Sequence, residues 1–168
     1  MKKFCLLLFC LFMGMGAFAQ QGEKSLGLNL LYGNDTNIGL SAKMRYSITD
    51  KWRVEPAFEY FFKHDYFSMW DLGANLHYVI PATETISVYP LAGLAYFRGT
   101  ADLSELSEYF KDFFGLELEN ASGGKVGFNL GVGGDFRLKD CTLSLEAKFQ
   151  LIDGGNQLVV GAGFSIPF

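Results

Sequence analysis

Cysteine, proline and histidine are all scarce in this chain, at 3, 4 and 2 of 168 residues. Cys5 and Cys10 lie in the first ten residues, so beyond them Cys141 stands alone and no intrachain disulfide can form. The shortage of proline excludes collagen and proline-rich linkers, although the 20 glycines are about twice the usual share. Two histidines and one remaining thiol give no metal-ligand spacing, and no cofactor motif is present. No run of basic residues occurs and the formal charge is −4, which leaves no footprint for nucleic acid. Disorder is excluded as well, because 49% of the residues are hydrophobic. Past Gln20 no apolar run is long enough for a transmembrane helix. The length suits one ordinary domain.

What is present begins with a leader. Lys2 and Lys3 precede the apolar stretch Phe4 to Met13, and Ala17-Phe18-Ala19 supplies a small-x-small cleavage site. Residues 1–19 are therefore expected to be a secretory signal peptide, too short in its apolar core to span a bilayer. The domain proper is expected over 20–168.

Beyond the leader, eight segments alternate apolar and polar residues with a period of two, the signature of strands. One face carries sets such as Leu26, Leu28, Leu30 and Tyr32, or Val126, Phe128, Leu130 and Val132. It holds no charge, amide or hydroxyl apart from tyrosine phenols. The other face carries Lys43, Arg45, Arg53, Glu55, Glu59, Asp71, His77, Asp135, Arg137, Glu146 and Lys148, with many glycines and several Ser and Asn.

Size decides which face looks inward. An eight-stranded barrel has an interior only just wide enough to be filled by side chains, and it cannot hold all the large apolar residues. Glycine and paired polar groups do fit. The apolar face then needs hydrocarbon as its solvent, where a midplane charge costs ~2–4 kcal/mol. A two-sheet sandwich also alternates, but its outer faces should be rich in Lys, Glu and Thr rather than Gly. The expected fold is an all-β, transmembrane, eight-stranded antiparallel up-and-down β-barrel. Aromatics gather toward both strand ends, Tyr46, Trp52, Tyr78 and Phe168 at one and Tyr32, Tyr60, Phe62, Trp70 and Tyr96 at the other, as interfacial belts require. The links at 49–51, 81–85 and 139–141 read as short, whereas 63–68 and 98–124 read as longer. That asymmetry predicts both mature termini on the periplasmic side of an outer membrane.

These features resemble the small eight-stranded outer-membrane barrels, the superfamily of outer membrane proteins A and X. The resemblance covers the whole mature chain and rests on the cleavage site, the eight strands, the segment Val88 to Tyr96 and a last strand ending in Phe168. It implies a Gram-negative outer-membrane location, and a C-terminal signal at Phe164, Ile166 and Phe168 for the barrel assembly machinery. The motifs are diffuse and identify architecture rather than activity.

Candidate chemistry lies inside the barrel and on top of it. Five cations and five carboxylates on the lumen face are expected to pair. A hairpin at 49–51 sets Arg45 opposite Glu55, with Lys43 diagonal to it; across 139–141 the spacing pairs Arg137 with Glu146 and Asp135 with Lys148. A closed, charge-paired lumen suits a structural, display or interaction protein, and a narrow channel for small solutes or apolar ligands is the alternative. Some small barrels modify lipid A with Ser, His and an acid. Here the only such trio is His64, Asp65 and Ser68, with no strand-held partner to fix a base against a nucleophile, so no catalytic residue is assigned. In 98–124, Asp102-Leu103-Ser104-Glu105 resembles a capping box, and Leu103, Leu106, Tyr109 or Phe110, Phe113 and Phe114 recur at helical spacing. A short amphipathic helix is expected there, either packed over the barrel mouth or presented to an extracellular partner.

Overall fold

The computed structural model describes residues 22–64, 67–101 and 121–168. The expected signal peptide, the acidic residue Asp65 and the helix expected in the third outer connection lie outside the described residues.

The strands are β1 (Lys24–Gly33), β2 (Asn37–Ser47), β3 (Trp52–His64), β4 (Phe67–Tyr78), β5 (Ile80–Pro81), β6 (Ile86–Ala101), β7 (Ala121–Arg137), β8 (Thr142–Ile152) and β9 (Gln157–Pro167). The stub β5 resumes the path of β4 after Val79 and pairs with β6 through Ile80↔Val88, so β4 and β5 make one stave of an eight-stave wall. Neighbours are antiparallel throughout. The ring closes where β1 meets β9, in the register Leu28↔Phe164 and Leu30↔Ala162. This is the closed antiparallel barrel expected from the alternation, and closure leaves no unpaired strand edge in hydrocarbon.

Backbone bonds pin the seam at both ends. Phe168 N donates to Lys24 O at 3.0 Å, while Asn34 N donates to Leu158 O at 3.1 Å and Leu158 N donates back to Asn34 Oδ1 at 2.7 Å. The end carrying the termini is called the near end and the opposite one the far end. Two near-end turns share one device: Thr49 Oγ1 accepts from Trp52 N at 3.0 Å, and Thr83 Oγ1 accepts from Ile86 N at 2.9 Å. In each case a threonine satisfies the first amide of the returning strand.

None of the apolar alternating set is buried against protein; Leu28, Leu145 and Val126, for example, are 55%, 67% and 65% exposed. A wall this greasy and this bare requires lipid around it.

The loop lengths differ from the expected alternation. β3 runs to His64 and β4 begins at Phe67, so the link between them is two residues long instead of spanning 63–68. The pairs Arg98↔Gly124 and Thr100↔Ser122 extend β6 and β7, which leaves 102–120 between the two strands. The other far-end links, 34–36 and 153–156, are as short as the near-end turns. Hydrogen bonding carried these ladders past the point where alternation faded, because a paired backbone needs no apolar pattern to continue as strand.

Candidate functional site: the barrel interior

The inward face is stratified along the barrel axis. At the near end a cavity of about 680 Å³ opens between the turns, with Arg45, Arg53 and Asp135 among its lining residues and hydroxyls from Ser47, Ser87 and Ser165 around it.

Next comes a continuous ion-pair network. Arg45 Nε donates to Glu55 Oε2 at 2.6 Å, its Nη1 donates to Asp135 Oδ1 at 3.0 Å and its Nη2 donates to the Tyr89 hydroxyl at 3.2 Å. The Tyr89 hydroxyl passes the chain on, donating to Glu146 Oε2 at 3.1 Å. Arg53 Nη1 takes the second Asp135 oxygen at 2.7 Å. Lys43 Nζ sits 3.3 Å from Glu55 Oε2 and 3.8 Å from Glu146 Oε2. With the Asn29 amide turned to suit its surroundings, Asn29 Oδ1 also accepts from Lys43 at 2.8 Å.

Tyr89 is the hub of this layer, and its place depends on a glycine. Gly133 is its direct cross-strand partner, and a Cβ there would overlap the phenol ring. The other face of the ring stacks on His77, with centroids 4.5 Å apart and an 8° interplanar angle, and Arg53 lies over the phenol at 4.7 Å. Stacking and cation–π attraction hold the ring in one pose.

Glu55, His77 and Glu146 place ligand-type atoms within 4.8 Å of one another. They do not suit a metal ion. His77 Nδ1 faces Arg53 Nε and Nη2 at 3.3 and 3.1 Å, and a guanidinium only donates, so the ring's one hydrogen sits on Nε2 and points toward Glu55 Oε1, 3.7 Å away. Nε2 therefore has no lone pair to offer, and the Lys43 ammonium already fills the cation's position between the two carboxylates.

Farther along, Lys148 pairs with Glu59, and Gln150 Nε2 donates to both Glu59 Oε2 and Asp71 Oδ2 at 3.3 Å. Gln157 Nε2 donates to Gln150 Oε1 at 2.5 Å, and Thr36 Oγ1 donates to Gln157 Oε1 at 2.9 Å. Asn129 Nδ2 donates to Asn75 Oδ1 at 3.0 Å in the same region. The far end of the interior is apolar: Leu31, Phe61, Met69, Ala95, Phe97 and Val159 form one buried cluster, with Ile152 packed against it.

Two ion pairs expected across the 139–141 turn do not form. Arg137 instead reaches Glu23 Oε2 at 3.1 Å at the near rim, both side chains well exposed. Glu146 faces Lys43 and Tyr89, Asp135 faces Arg45 and Arg53, and Lys148 faces Glu59. The register is the reason. Asp135 lies opposite Ser144 and Arg137 opposite Thr142, so the expected partners are offset along the hairpin. In so narrow a lumen the opposite wall is closer, and β8 pairs with β3 while β7 pairs with β2 and β3. The even balance counted from sequence also shifts, since Arg137 belongs to the rim, and three buried cations with the partly buried Arg53 face five buried carboxylates.

Tyr89, Gln157 and the apolar cluster were not assigned from sequence. The cluster left a trace in Leu30-Leu31-Tyr32, Tyr60-Phe61-Phe62 and Leu158-Val159-Val160, where both faces turn apolar near strand ends. Of the serine, histidine and acid considered for catalysis, Ser68 lies inside β4, paired with Thr100, and His64 closes β3 opposite Phe67. Phe164, Ile166 and Phe168 all point outward on or just after β9.

Comparison with known proteins fits this architecture. Residues 5–166 match the family model described as the outer membrane protein beta-barrel domain. The chain belongs to that family. It is an outer-membrane β-barrel of the kind found in Gram-negative bacteria. The N-terminal β-barrel domain of Pseudomonas aeruginosa OprF superposes with a TM-score of 0.66 at 14% identity, over 88% of this chain and 100% of that one. Neisserial surface protein A gives 0.64 at 12%, over 88% and 97%. The Yersinia pestis attachment invasion locus protein Ail, in complex with the heparin analogue sucrose octasulfate, gives 0.59 at 18%, over 89% and 100%. A de novo designed transmembrane β-barrel is similar too, at 0.54 and 11%, over 89% of this chain and 98% of that one, a reminder that the fold alone carries no task. No curated protein matches.

Proposed function

We propose that the protein is a closed, non-conducting barrel that anchors and displays its 102–120 connection outside the cell, with both termini in the periplasm. The filled interior carries this reading. The near-end cavity stops at the Arg45–Asp135–Arg53 fork, the polar layers behind it pair with each other, and the apolar cluster seals the far end. A conducting pore uses a wetted path with one dominant sign of charge, and this lumen supplies neither.

Two measurements test the reading. In planar bilayers the purified protein should give no unitary conductance; steady ion-selective openings would favour the narrow-channel alternative. In intact cells, a Ser107→Cys variant should react with an impermeant maleimide while Cys141, the free thiol at the near end, stays unlabelled until the outer membrane is opened. The reverse pattern would invert the orientation.

The same reading assigns Phe164, Ile166 and Phe168 to recognition by the barrel assembly machinery. These three side chains form an outward row on and just past β9, the strand that closes the seam with β1. Phe168→Ala should slow insertion by that machinery while leaving spontaneous folding in detergent nearly unchanged.

A further inference from the structure

Charge also stands on the lipid side of the wall. Lys24 opens β1 at an outward position by the near rim, and Arg98 lies at an outward position toward the far end of β6. Lys43, Arg45, Arg53, Lys125, Arg137 and Lys148 each have a carboxylate within 4 Å. Arg98 has none among the described residues; its one hydrogen bond is a long one, from Nη2 to Ser122 Oγ at 3.5 Å.

Its surroundings are ordered by strand register. Three successive outward rows cross β4, β6 and β7 toward the far rim: Leu72↔Tyr96↔Val126, then Trp70↔Arg98↔Gly124, then Ser68↔Thr100↔Ser122. The rows grade from aliphatic through aromatic and cationic to hydroxylic, the same gradient a lipid presents from acyl chain to headgroup. Gly124 shapes the middle row. A Cβ at Gly124 would overlap the Tyr96 hydroxyl, so its absence lets the phenol lie across β7 beside Arg98. Tyr96 also packs against Trp70, with ring centroids 5.9 Å apart. A guanidinium, a phenol and a serine hydroxyl thus face one patch of the lipid boundary, above two aromatic rings.

We propose that Arg98, Tyr96 and Ser122 bind the phosphate group of an anionic membrane lipid whose acyl chains run down over Trp70 and Tyr96. Charge complementarity names the occupant. A guanidinium at the edge of hydrocarbon, with no carboxylate partner among the described residues, is completed by an anion that the membrane itself supplies, and phosphate matches its fork of donors. The proposal rests on the barrel standing in lipid, but it is independent of which end faces outward and of whether the barrel conducts.

The two tryptophans make the test direct. In a Trp52→Phe background Trp70 is the only tryptophan, and it sits in the proposed site. The full chain is reconstituted in phosphatidylcholine vesicles containing brominated phosphatidic acid or brominated phosphatidylcholine, and Trp70 quenching is followed. Brominated phosphatidic acid should quench at a mole fraction several-fold lower than brominated phosphatidylcholine. Arg98→Gln should bring the two curves together, and Arg98→Lys should keep part of the gap; gel mobility without heating checks that each variant is folded. Equal quenching by both lipids in the parent, or a preference that survives Arg98→Gln, would overturn the proposal. Relief of quenching by millimolar inorganic phosphate would also overturn it, since the site would then belong to the free ion.

Discussion

Glu55 shows how much one side chain carries in a narrow lumen. It is almost fully buried and serves Lys43 and Arg45 at once, with the His77 Nε2 hydrogen directed at its other oxygen. Replacing it with glutamine keeps the shape and removes the charge, leaving two buried cations short of a counter-ion. Breaking a buried pair in this way costs about 3–5 kcal/mol. Glu55→Gln should therefore lower the urea midpoint of the lipid-reconstituted barrel markedly, and adding Lys43→Met should recover part of the loss. Arg137→Gln is the control: its pair with Glu23 is solvated, and such pairs contribute less than about 1 kcal/mol. The contrast between Glu55 and Arg137 was not visible in the sequence, where both were lumen charges within four positions of a turn. Only the register and the tilt of the wall separate a buried group from one at the rim.

At the scale of the strand, the two faces obey different solvents. β1 shows it most simply: Leu26, Leu28 and Leu30 face lipid, while Gly27 and Asn29 face inward and Leu31 enters the apolar cluster. Leu28 lies mid-strand between Ala42 and Phe164, so Leu28→Arg should cost ~2–4 kcal/mol. Leu138→Arg, just past the end of β7 and at the near rim, should cost ~0–1 kcal/mol because the headgroup region solvates the charge. Equal losses at both positions, read from unfolding in vesicles, would mean the apolar band is not where the strands place it. Alternation made the strands legible, and the matched ladders bear out eight of them. Their ends were less legible. β6 and β7 continue to Ala101 and Ala121 through Gly99, Gly123 and Gly124, residues that carry no face pattern to read.

For the whole molecule, closure and filling are separate achievements. The β1–β9 seam closes the wall, and two unlike fillings, ionic toward the near end and apolar toward the far end, occupy the inside. Because the two fillings block in series, removing one should not open a pore. Phe61→Ala empties the centre of the apolar cluster and should cost about 3–5 kcal/mol in unfolding, yet planar-bilayer recordings should stay silent. Openings in Phe61→Ala would show that the ion-pair layers alone do not stop ions. The far-end cluster also explains why a purely polar lumen was the wrong expectation there. Near a strand end the barrel interior can be packed like any protein core, and Leu31, Phe61 and Val159 follow that rule in place of the alternation around them.

The sequence by itself determined the wall: a period of two, a face whose middle positions carry no charge and two aromatic girdles leave only a barrel in lipid, because hydrocarbon excludes charge and an open sheet edge alike. Its alternation also put eleven polar groups on the inward face, and the structure moves one of them, Arg137, to the near rim. Tertiary structure alone decided who meets whom. Pairing across a lumen depends on register, shear and the reach of each side chain to the opposite wall, quantities set by closing the ring and absent from any one strand. Hence Asp135 joins Arg45 and Arg53, Lys148 joins Glu59, and Arg98 faces the lipid with no carboxylate partner among the described residues.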